Sequence, residues 1–372
     1  MSEAKKVLLR VDFNVPLKNG KVADDFRMRA ALPAIKKLIS EKKQVFLITH
    51  LEENDKTPHL DSIKKTLEKL LGFGIGFAGG KLPKKPIKFY ERVVLFDNIR
   101  LNQGEKNNDQ KFAHRLATWG DEYINEAFSA SHRKHASIVR LPKFLPSSTG
   151  PLFEKEVKNL SRFFKPKHPF LLILAGKKFG TKEPLISRFL KSTDTIFVGG
   201  ALGNAFLKQR GLSVGKSKTE DKKIPKEILW SAKIFLPEDA IVLRNGKKKS
   251  VLLSDIKARD IIYDAGAKTV NAIAELARRS KFVLWNGTLG LCENGFDYGT
   301  RELAKELGKS NAYKVVGGGD TVAAIRKMKL ERNFDFLSTG GGAMLEFLAT
   351  GTLPGIAALG EPRLRREALQ RK

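Results

Sequence analysis

The stretch Tyr313-Lys-Val-Val-Gly-Gly-Gly-Asp-Thr-Val-Ala-Ala-Ile325 carries a β-branched run to Val316, three glycines, and an apolar pattern of helical period from Thr321. It predicts a strand, a tight turn and a helix N-terminus. Glycine lets backbone approach a ligand with no Cβ in the way. The unpaired N–H groups of a first helical turn face outward at the positive end of the helix dipole. The stretch is therefore predicted to seat an anion through Gly317, Gly318, Gly319 and Thr321. Asp320 stands where turn becomes helix, and two roles are open to it. It can hold the magnesium that accompanies a polyphosphate, or cap the helix that starts with Thr321.

Four other runs in this half share the design. Residues 170–174 lead into Ala175-Gly-Lys-Lys-Phe-Gly-Thr-Lys182, and residues 195–198 into Gly199-Gly-Ala-Leu-Gly203. Residues 282–285 lead into Asn286-Gly-Thr-Leu-Gly290, and residues 334–338 into Thr339-Gly-Gly-Gly-Ala343, which contains Gly340 and Gly341. One glycine turn serves helix packing as readily as ligand binding. Five at one edge of a parallel sheet imply a ligand lying along backbone, and a nucleotide fits. Lys178 and Lys182 leave one of these strand ends where a transferring phosphoryl group needs positive charge. Gly211-Leu-Ser-Val-Gly-Lys-Ser217 looks like a Walker loop, but has three residues where the motif has four and follows a helical pattern, so it is rejected. Residues 240–244 and 247–253 flank Asn245-Gly246 and predict a β-hairpin.

In the first half, strand-like runs at 7–11, 45–49, 93–96 and 123–124 alternate with helical patterns such as 30–39 and 63–71. Such alternation predicts parallel strands joined by crossover helices, with functional groups just beyond the carboxyl strand ends. There stand Asp12 and Asn14, His50, the run Asp97-Asn-Ile-Arg100, and Asn125 followed by Ser131-His-Arg-Lys-His135. Arg27 precedes a helix. A single arginine is usually surface charge or half of an ion pair. Arginines, histidines and amides gathered at successive strand ends form a basket of donors suited to a small phosphorylated or carboxylated metabolite. His132 and His135 have the spacing of a metal pair on a helix, but no third ligand follows nearby, which argues against zinc.

At 372 residues the chain exceeds what one core supports. Pro142-Lys-Phe-Leu-Pro-Ser-Ser-Thr-Gly-Pro151 breaks the pattern, residues 152–164 are helical in period, and Lys165-Pro-Lys-His-Pro169 breaks it again. The expected fold is α/β, with two domains, each a parallel sheet flanked by helices. The small-anion domain is placed at 1–151, a helical linker at 152–169, the nucleotide domain at 170–345 and a tail at 346–372. No apolar run reaches the ~20 residues of a membrane span, Met-Ser-Glu-Ala-Lys-Lys lacks a signal-peptide core, and Cys292 is the only cysteine. A cytoplasmic enzyme with no membrane partner is expected. The net charge of +29 comes from lysine pairs scattered along the chain, without a helix-turn-helix or an aromatic stacking run. No dedicated nucleic-acid partner is expected, and the charge should attract anionic substrates in a salt-dependent way.

Side-chain cations for a small anion in one half and glycine backbone for a nucleotide in the other suggest phosphoryl transfer across a cleft, with domain closure excluding water. At these residues the chain resembles the phosphoglycerate kinase family over essentially its full length. The motifs are Arg10-Val-Asp-Phe-Asn-Val-Pro16, Asp97-Asn-Ile-Arg100, Asn125-Glu-Ala-Phe, His132-Arg133, Trp285-Asn-Gly287, Gly317-Gly-Gly-Asp-Thr321 and Ser338-Thr-Gly-Gly-Gly-Ala343, in the family's order. The resemblance implies two Rossmann-like domains, with a central cleft and the C-terminal tail returning to the first domain, and reversible transfer of the acyl phosphate of 1,3-bisphosphoglycerate to MgADP, giving 3-phosphoglycerate and MgATP; a monomer is expected. It implies that Asp12, Asn14, Arg27, His50, Arg100, His132 and Arg133 bind the phosphoglycerate, with Arg27 also steadying the transferring group. Lys178 would stabilise that group and Lys182 the nucleotide phosphates. Glu293 would meet the ribose, Asn286 and Gly199 would line the nucleotide site, and Asp320 would organise magnesium.

The departures are specific. The family usually reads His-Leu-Gly-Arg-Pro where this chain reads His50-Leu-Glu-Glu-Asn54, so a substrate-binding arginine becomes Glu53. A hydrogen bond to a charged group is worth roughly 1.5–3 kcal/mol, so the change predicts phosphoglycerate affinity weakened about tenfold to a hundredfold. Ala175 and Ala201 replace glycines, and Gly180-Thr181 and Thr288 replace a more polar pair and a proline, which bears on fit and rate at the nucleotide site. Two alternatives stand beside an active kinase: a paralogue that binds nucleotide but turns over slowly, and a basic protein whose main partner is nucleic acid.

Overall fold

The computed structural model describes residues 4–176 and 179–360. Lys178 and the basic segment at 363–369 lie outside the described residues. The first sheet starts with β1 (Lys6–Arg10), after which a small hairpin, β2 (Leu17–Lys18) and β3 (Lys21–Val22), interrupts the chain. The sheet is completed by β4 (Gln44–Ile48), β5 (Gly76–Ala78), β6 (Val93–Phe96), β7 (Glu122–Asn125) and β8 (Ser147–Thr149). The order is β5-β6-β4-β1-β7-β8 and every pairing is parallel.

These strands read as unbroken apolar runs because both faces are covered. Val7, Leu9, Val45, Leu47, Val93 and Leu95 pack on one side with Met28, Ile35, Ile63 and Leu67. Leu8, Phe46, Ile48, Val94 and Phe96 pack on the other with Phe112, Leu116 and Trp119. The Trp119 ring stands edge-on to Phe96 at 5.0 Å. The helix Phe26–Ser40 starts one turn before the periodic run at 30–39, in a turn where Arg27 and Arg29 alternate with Phe26 and Met28.

The chain leaves β1 toward β4 on one side and leaves β7 toward β8 on the other. The point where connections diverge, beyond the carboxyl ends of β1 and β7, is where such sheets bind ligands. The Pro142–Pro151 stretch, expected only to break the pattern, supplies strand β8 and the start of the helix Pro151–Ser161. Its anchor is Glu126, whose carboxyl oxygens accept from the amides of Leu152 (3.0 Å) and Phe153 (3.4 Å) in that helix's first turn. Burial pushes the Glu126 carboxyl up to about 8, against the pull of the two amides. A Cβ at Gly150 would sit 2.0 Å from Glu126 Oε2. Gly150→Ala is therefore expected to cost about 1–3 kcal/mol in urea unfolding, the usual penalty for forcing extra volume into a packed site.

The second half contains β9 (Phe170–Leu174), β10 (Thr195–Val198) and β11 (Ile234–Phe235). Then come β12 (Asp239–Arg244), β13 (Lys247–Leu252) and β14 (Ile261–Ala265), followed by β15 (Phe282–Asn286), β16 (Tyr313–Gly317) and β17 (Phe336–Leu337). The parallel sheet has the order β11-β10-β9-β15-β16-β17. Its connections diverge at β9 and β15, and its ligand crevice is expected there. The Asn245-Gly246 hairpin forms as predicted between β12 and β13, and β14 adds a third antiparallel strand.

By compactness, residues up to Ser161 form one unit with the described residues from Thr350 on, and Arg162–Ala349 form another. Within the first, the Gly355 amide donates to the Ser131 carbonyl at 2.8 Å. No helix among the described residues is long and apolar enough to cross a membrane.

Candidate active site

In the first unit the strand ends bring the expected cations around one buried carboxylate. Asp12 Oδ2 accepts from Arg27 Nη1 at 2.7 Å and from the Ser129 hydroxyl, and Oδ1 accepts from the Asn14 amide at 2.9 Å. Burial alone would raise its pKa. The Arg27 charge, the nearby His50 ring and the two hydrogen bonds outweigh burial and hold the carboxyl well below the usual range. His50 is buried 3.9 Å from Asp12, and burial, with Arg10, Arg100 and Arg133 nearby, pushes its pKa well down. Arg10 Nη2 lies 3.2 Å from His50 Nδ1. Because a guanidinium only donates, Nδ1 is the acceptor, and neutral His50 carries its proton on Nε2. Burial and Arg133 likewise lower the His132 pKa, with Asp12 and Arg100 also close enough to act on it. Asp12, Asn14, Arg27, His50, Arg100, His132 and Arg133 thus share one basket beside the divergence of β1 and β7.

Other motif residues have structural work. Asp97 accepts from the amides of Leu60 (2.9 Å), Gly80 (2.8 Å) and Asn98 (2.8 Å). Asn98 donates to the carbonyls of Leu51 and Pro58, and Asn125 ties Ser131 to the strand end. These groups clamp the loops from which Arg100 and Arg133 project. Sequence reasoning missed Arg10, which is buried at the end of β1. Its Nε donates to Ser137 Oγ (3.0 Å), and Ser137 Oγ donates to the buried Glu105 (2.6 Å). Its position as the first residue of Arg10-Val-Asp-Phe-Asn14 was the available signal. His135 points to the same Glu105 at 3.8 Å. No group of three or more His, Cys, Asp or Glu among the described residues is placed to hold a metal ion, so the histidine pair has no third ligand.

In the second unit a cavity of about 1220 Å³ opens beyond β9 and β15. Gly176, Lys182, Gly200, Asn286, Glu293 and Gly318 to Thr321 are among its lining residues. Gly199, Gly317, Gly340 and Gly341 are not. A Cβ at Gly317 would meet Met344 Sδ at 2.0 Å, and one at Gly287 would meet the Ala175 carbonyl oxygen at 2.0 Å. Those two glycines are required by protein packing. Gly319 is different: nothing lies within 4 Å of its would-be Cβ, and it faces the cavity. Lys216 and Lys218 also line the cavity. They belong to and follow the rejected Walker look-alike, whose Gly215 is pressed against the Asp260 carbonyl instead of forming a phosphate loop. Buried Asp264 is a further wall residue that the sequence did not single out, its carboxyl pushed up to about 7 by burial.

The helix after β16 is Gly319–Lys327, with Gly318 at the N-cap and no side-chain cap. Asp320 is therefore the second residue of the helix and not its cap, which removes one of the two roles left open by the sequence. Its carboxylate is exposed on the cavity wall and has no side-chain partner among the described residues. Thr321 Oγ1 accepts from the Gly287 amide at 3.0 Å, locking this turn to the one after β15. Lys182 is buried, donates to Asn286 Oδ1 at 2.5 Å, and has its pKa pushed down to about 8 by burial. If its ammonium meets nucleotide phosphates, the KM for ATP should rise as pH climbs through about 8, approaching tenfold per pH unit. Initial rates between about pH 7 and about pH 9.5 test this, and a flat profile would take Lys182 off the phosphates. Lys182→Arg should abolish the break, since arginine stays charged.

A parallel α/β chain with a cationic small-anion basket and a nucleotide-sized, glycine-walled cavity falls in the phosphotransferase class. The family model described as phosphoglycerate kinase matches residues 1–351. The phosphoglycerate kinase of Pelotomaculum thermopropionicum is 38% identical, covering 96% of this chain and 96% of its own, and that of Coprothermobacter proteolyticus is 40% identical over 95% and 96%. Among solved structures, phosphoglycerate kinase from Pyrococcus horikoshii aligns with a TM-score of 0.86 at 27% identity, covering 98% of this chain and 97% of that one. The enzyme from Coxiella burnetii aligns at 0.80 with 33% identity and the same coverage. The chain belongs to the phosphoglycerate kinase family.

Proposed function

We propose that this protein is a working phosphoglycerate kinase, moving a phosphoryl group reversibly between 1,3-bisphosphoglycerate and ADP to give 3-phosphoglycerate and ATP. The observation that carries the reading is the family match over residues 1–351. The geometry supports it. Neutral His50 offers an Nε2–H, and Arg27, Arg100 and Arg133 offer guanidinium edges to a carboxylate or phosphate. Asp12 fixes Arg27 in place, and the Ser129 hydroxyl and Asn14 amide fix Asp12. In the second unit Gly318, Gly319 and Thr321 present a helix N-terminus to nucleotide phosphates, Lys182 and Asn286 present a hydrogen-bonded donor pair, and Glu293 stands at the cavity wall for the ribose. Lys178 keeps its proposed role at the transferring group on the resemblance alone.

The donor chemistry suits magnesium. Asp320 is a single exposed carboxylate beside the phosphate seat, and magnesium is commonly held by one or two carboxylates together with substrate phosphates. When bound there, the ion would neutralise charge on the phosphates. Action as a cytoplasmic monomer belongs to the same proposal.

The test is initial-rate assay with 3-phosphoglycerate and MgATP, coupled to reduction of the product by a dehydrogenase. Sustained turnover supports the reading. Intact ATP binding without turnover would instead identify the weakened paralogue.

A further inference from the structure

The sequence drew attention to Glu53, but the structure turns it to another neighbour. Glu53 is exposed in a tight turn, its backbone paired with Lys56. Glu52 points the other way, into the cation basket. Its Oε2 accepts from Arg100 Nη1, and its Oε1 lies 3.9 Å from Lys106 Nζ. The Arg100 side chain is only 1% exposed and that of Glu52 is 30% exposed. Arg100 Nε is buried with no partner among the described residues. Nη1 of the guanidinium is thus taken by a carboxylate of the chain itself, while Nε has no acceptor among the described residues.

We propose that Glu52 is a resident carboxylate that occupies Arg100 in place of the substrate's own anionic group, so that phosphoglycerate must displace it to bind and Glu52 sets the substrate affinity of this kinase. The inference rests on the phosphoglycerate reading of the basket. Three features carry it. First, Arg100 sits among like charges, with Arg133 and Arg10 both close enough to act on it, so a carboxylate there relieves repulsion in the empty site. Second, the exchange is chemically even: one oxygen anion leaves a guanidinium and another takes its place, and the departing carboxylate is already partly in water. Third, the backbone need not move. The Glu52 amide donates to Asn14 Oδ1 at 3.0 Å, so the loop stays fixed while the side chain rotates away. Protonation does not release Glu52 near neutral pH. Burial raises its pKa, but Arg100, Lys106 and Arg133 more than offset this and leave it below the usual range. The carboxylate therefore competes in its ionised form.

The experiment compares the unsubstituted protein with Glu52→Gln, which keeps an oxygen acceptor for Arg100 while removing the charge. Calorimetric Kd for 3-phosphoglycerate and steady-state KM for the same ligand should both fall about tenfold, the scale of one charge-assisted contact. The KM for ATP should stay within about twofold. Glu52→Ala should tighten binding in the same sense, and it guards against a fold defect peculiar to one variant. Glu53→Gln removes an equal charge from the exposed turn and should change Kd by less than about twofold. An unchanged or raised Kd in both Glu52 variants would overturn the proposal, as would an equal gain from Glu53→Gln. If the unsubstituted protein neither binds nor turns over 3-phosphoglycerate, the functional reading itself falls, and this inference with it. Turnover in the unsubstituted protein with no gain in either Glu52 variant would sink this inference alone.

Discussion

Arg27→Ala is expected to lower kcat/KM for 3-phosphoglycerate by about 10²- to 10³-fold, the scale of removing one preorganised donor from a developing charge. The side chain is 26% exposed, so beyond the bond from Nη1 to Asp12 at 2.7 Å, and one to the Asn14 carbonyl at 3.2 Å, it keeps donors free for a ligand. Its loss acts twice. The site loses a guanidinium, and Asp12 loses its countercharge while remaining an anion, because the Ser129 hydroxyl and the Asn14 amide still hold it ionised. A bare carboxylate then faces an anionic substrate. Adding Asp12→Asn to Arg27→Ala should therefore recover part of the KM while kcat stays low, a non-additivity expected of side chains in contact. If the double variant shows the KM of the single one, Asp12 is not the source of the repulsion. If Arg27→Ala leaves kcat untouched, Arg27 binds but does not assist transfer.

The same pair predicts acid sensitivity. The folded-state pKa of Asp12 lies below the ordinary aspartate value. Its ionisation therefore contributes stability that is fully present above the unfolded value and is lost as pH falls through the folded one. Arg27→Ala removes one cause of the depression, so the variant should be destabilised most at neutral pH and should lose less further stability than the parent below about pH 4, the two stability curves converging as Asp12 protonates.

Much of this was legible in the sequence, for a physical reason. Strands buried on both faces read as continuous apolar runs, and parallel topology then places function at strand ends, so residues such as Asp12, His50, Arg100 and Asn286 announce themselves by position. The direction in which a side chain leaves a loop is not written there. Glu52 and Glu53 are adjacent and chemically identical, yet one closes on Arg100 while the other enters the solvent side of a turn. Composition could not separate them, because the partner is 48 residues away. Glycines pose the same difficulty. Gly317 and Gly319 sit in one Gly-Gly-Gly run, but the first is demanded by Met344 from a distant helix and the second faces an open cavity. Lys216 was hidden because its motif failed as a phosphate loop, and it reaches the cavity through tertiary packing that no local pattern encodes.

Asp320→Asn is expected to lower turnover about tenfold to a hundredfold at limiting magnesium, and raising magnesium should restore part of it, because the amide is a poorer ligand for a hard cation than a carboxylate. Stability separates this from a helix-terminus role. An N-cap lost to alanine costs about 0.5–2 kcal/mol, whereas an acidic residue merely facing the helix dipole contributes about 0.3–1 kcal/mol. Gly318 occupies the N-cap and Asp320 makes no cap bond. Asp320→Ala should therefore unfold within about 1 kcal/mol of the parent while losing at least as much turnover as Asp320→Asn. A capping residue would show the reverse, with stability falling in the alanine variant and kinetics intact in both. A kinetic loss that added magnesium cannot relieve would leave Asp320 important to transfer but would separate it from the metal.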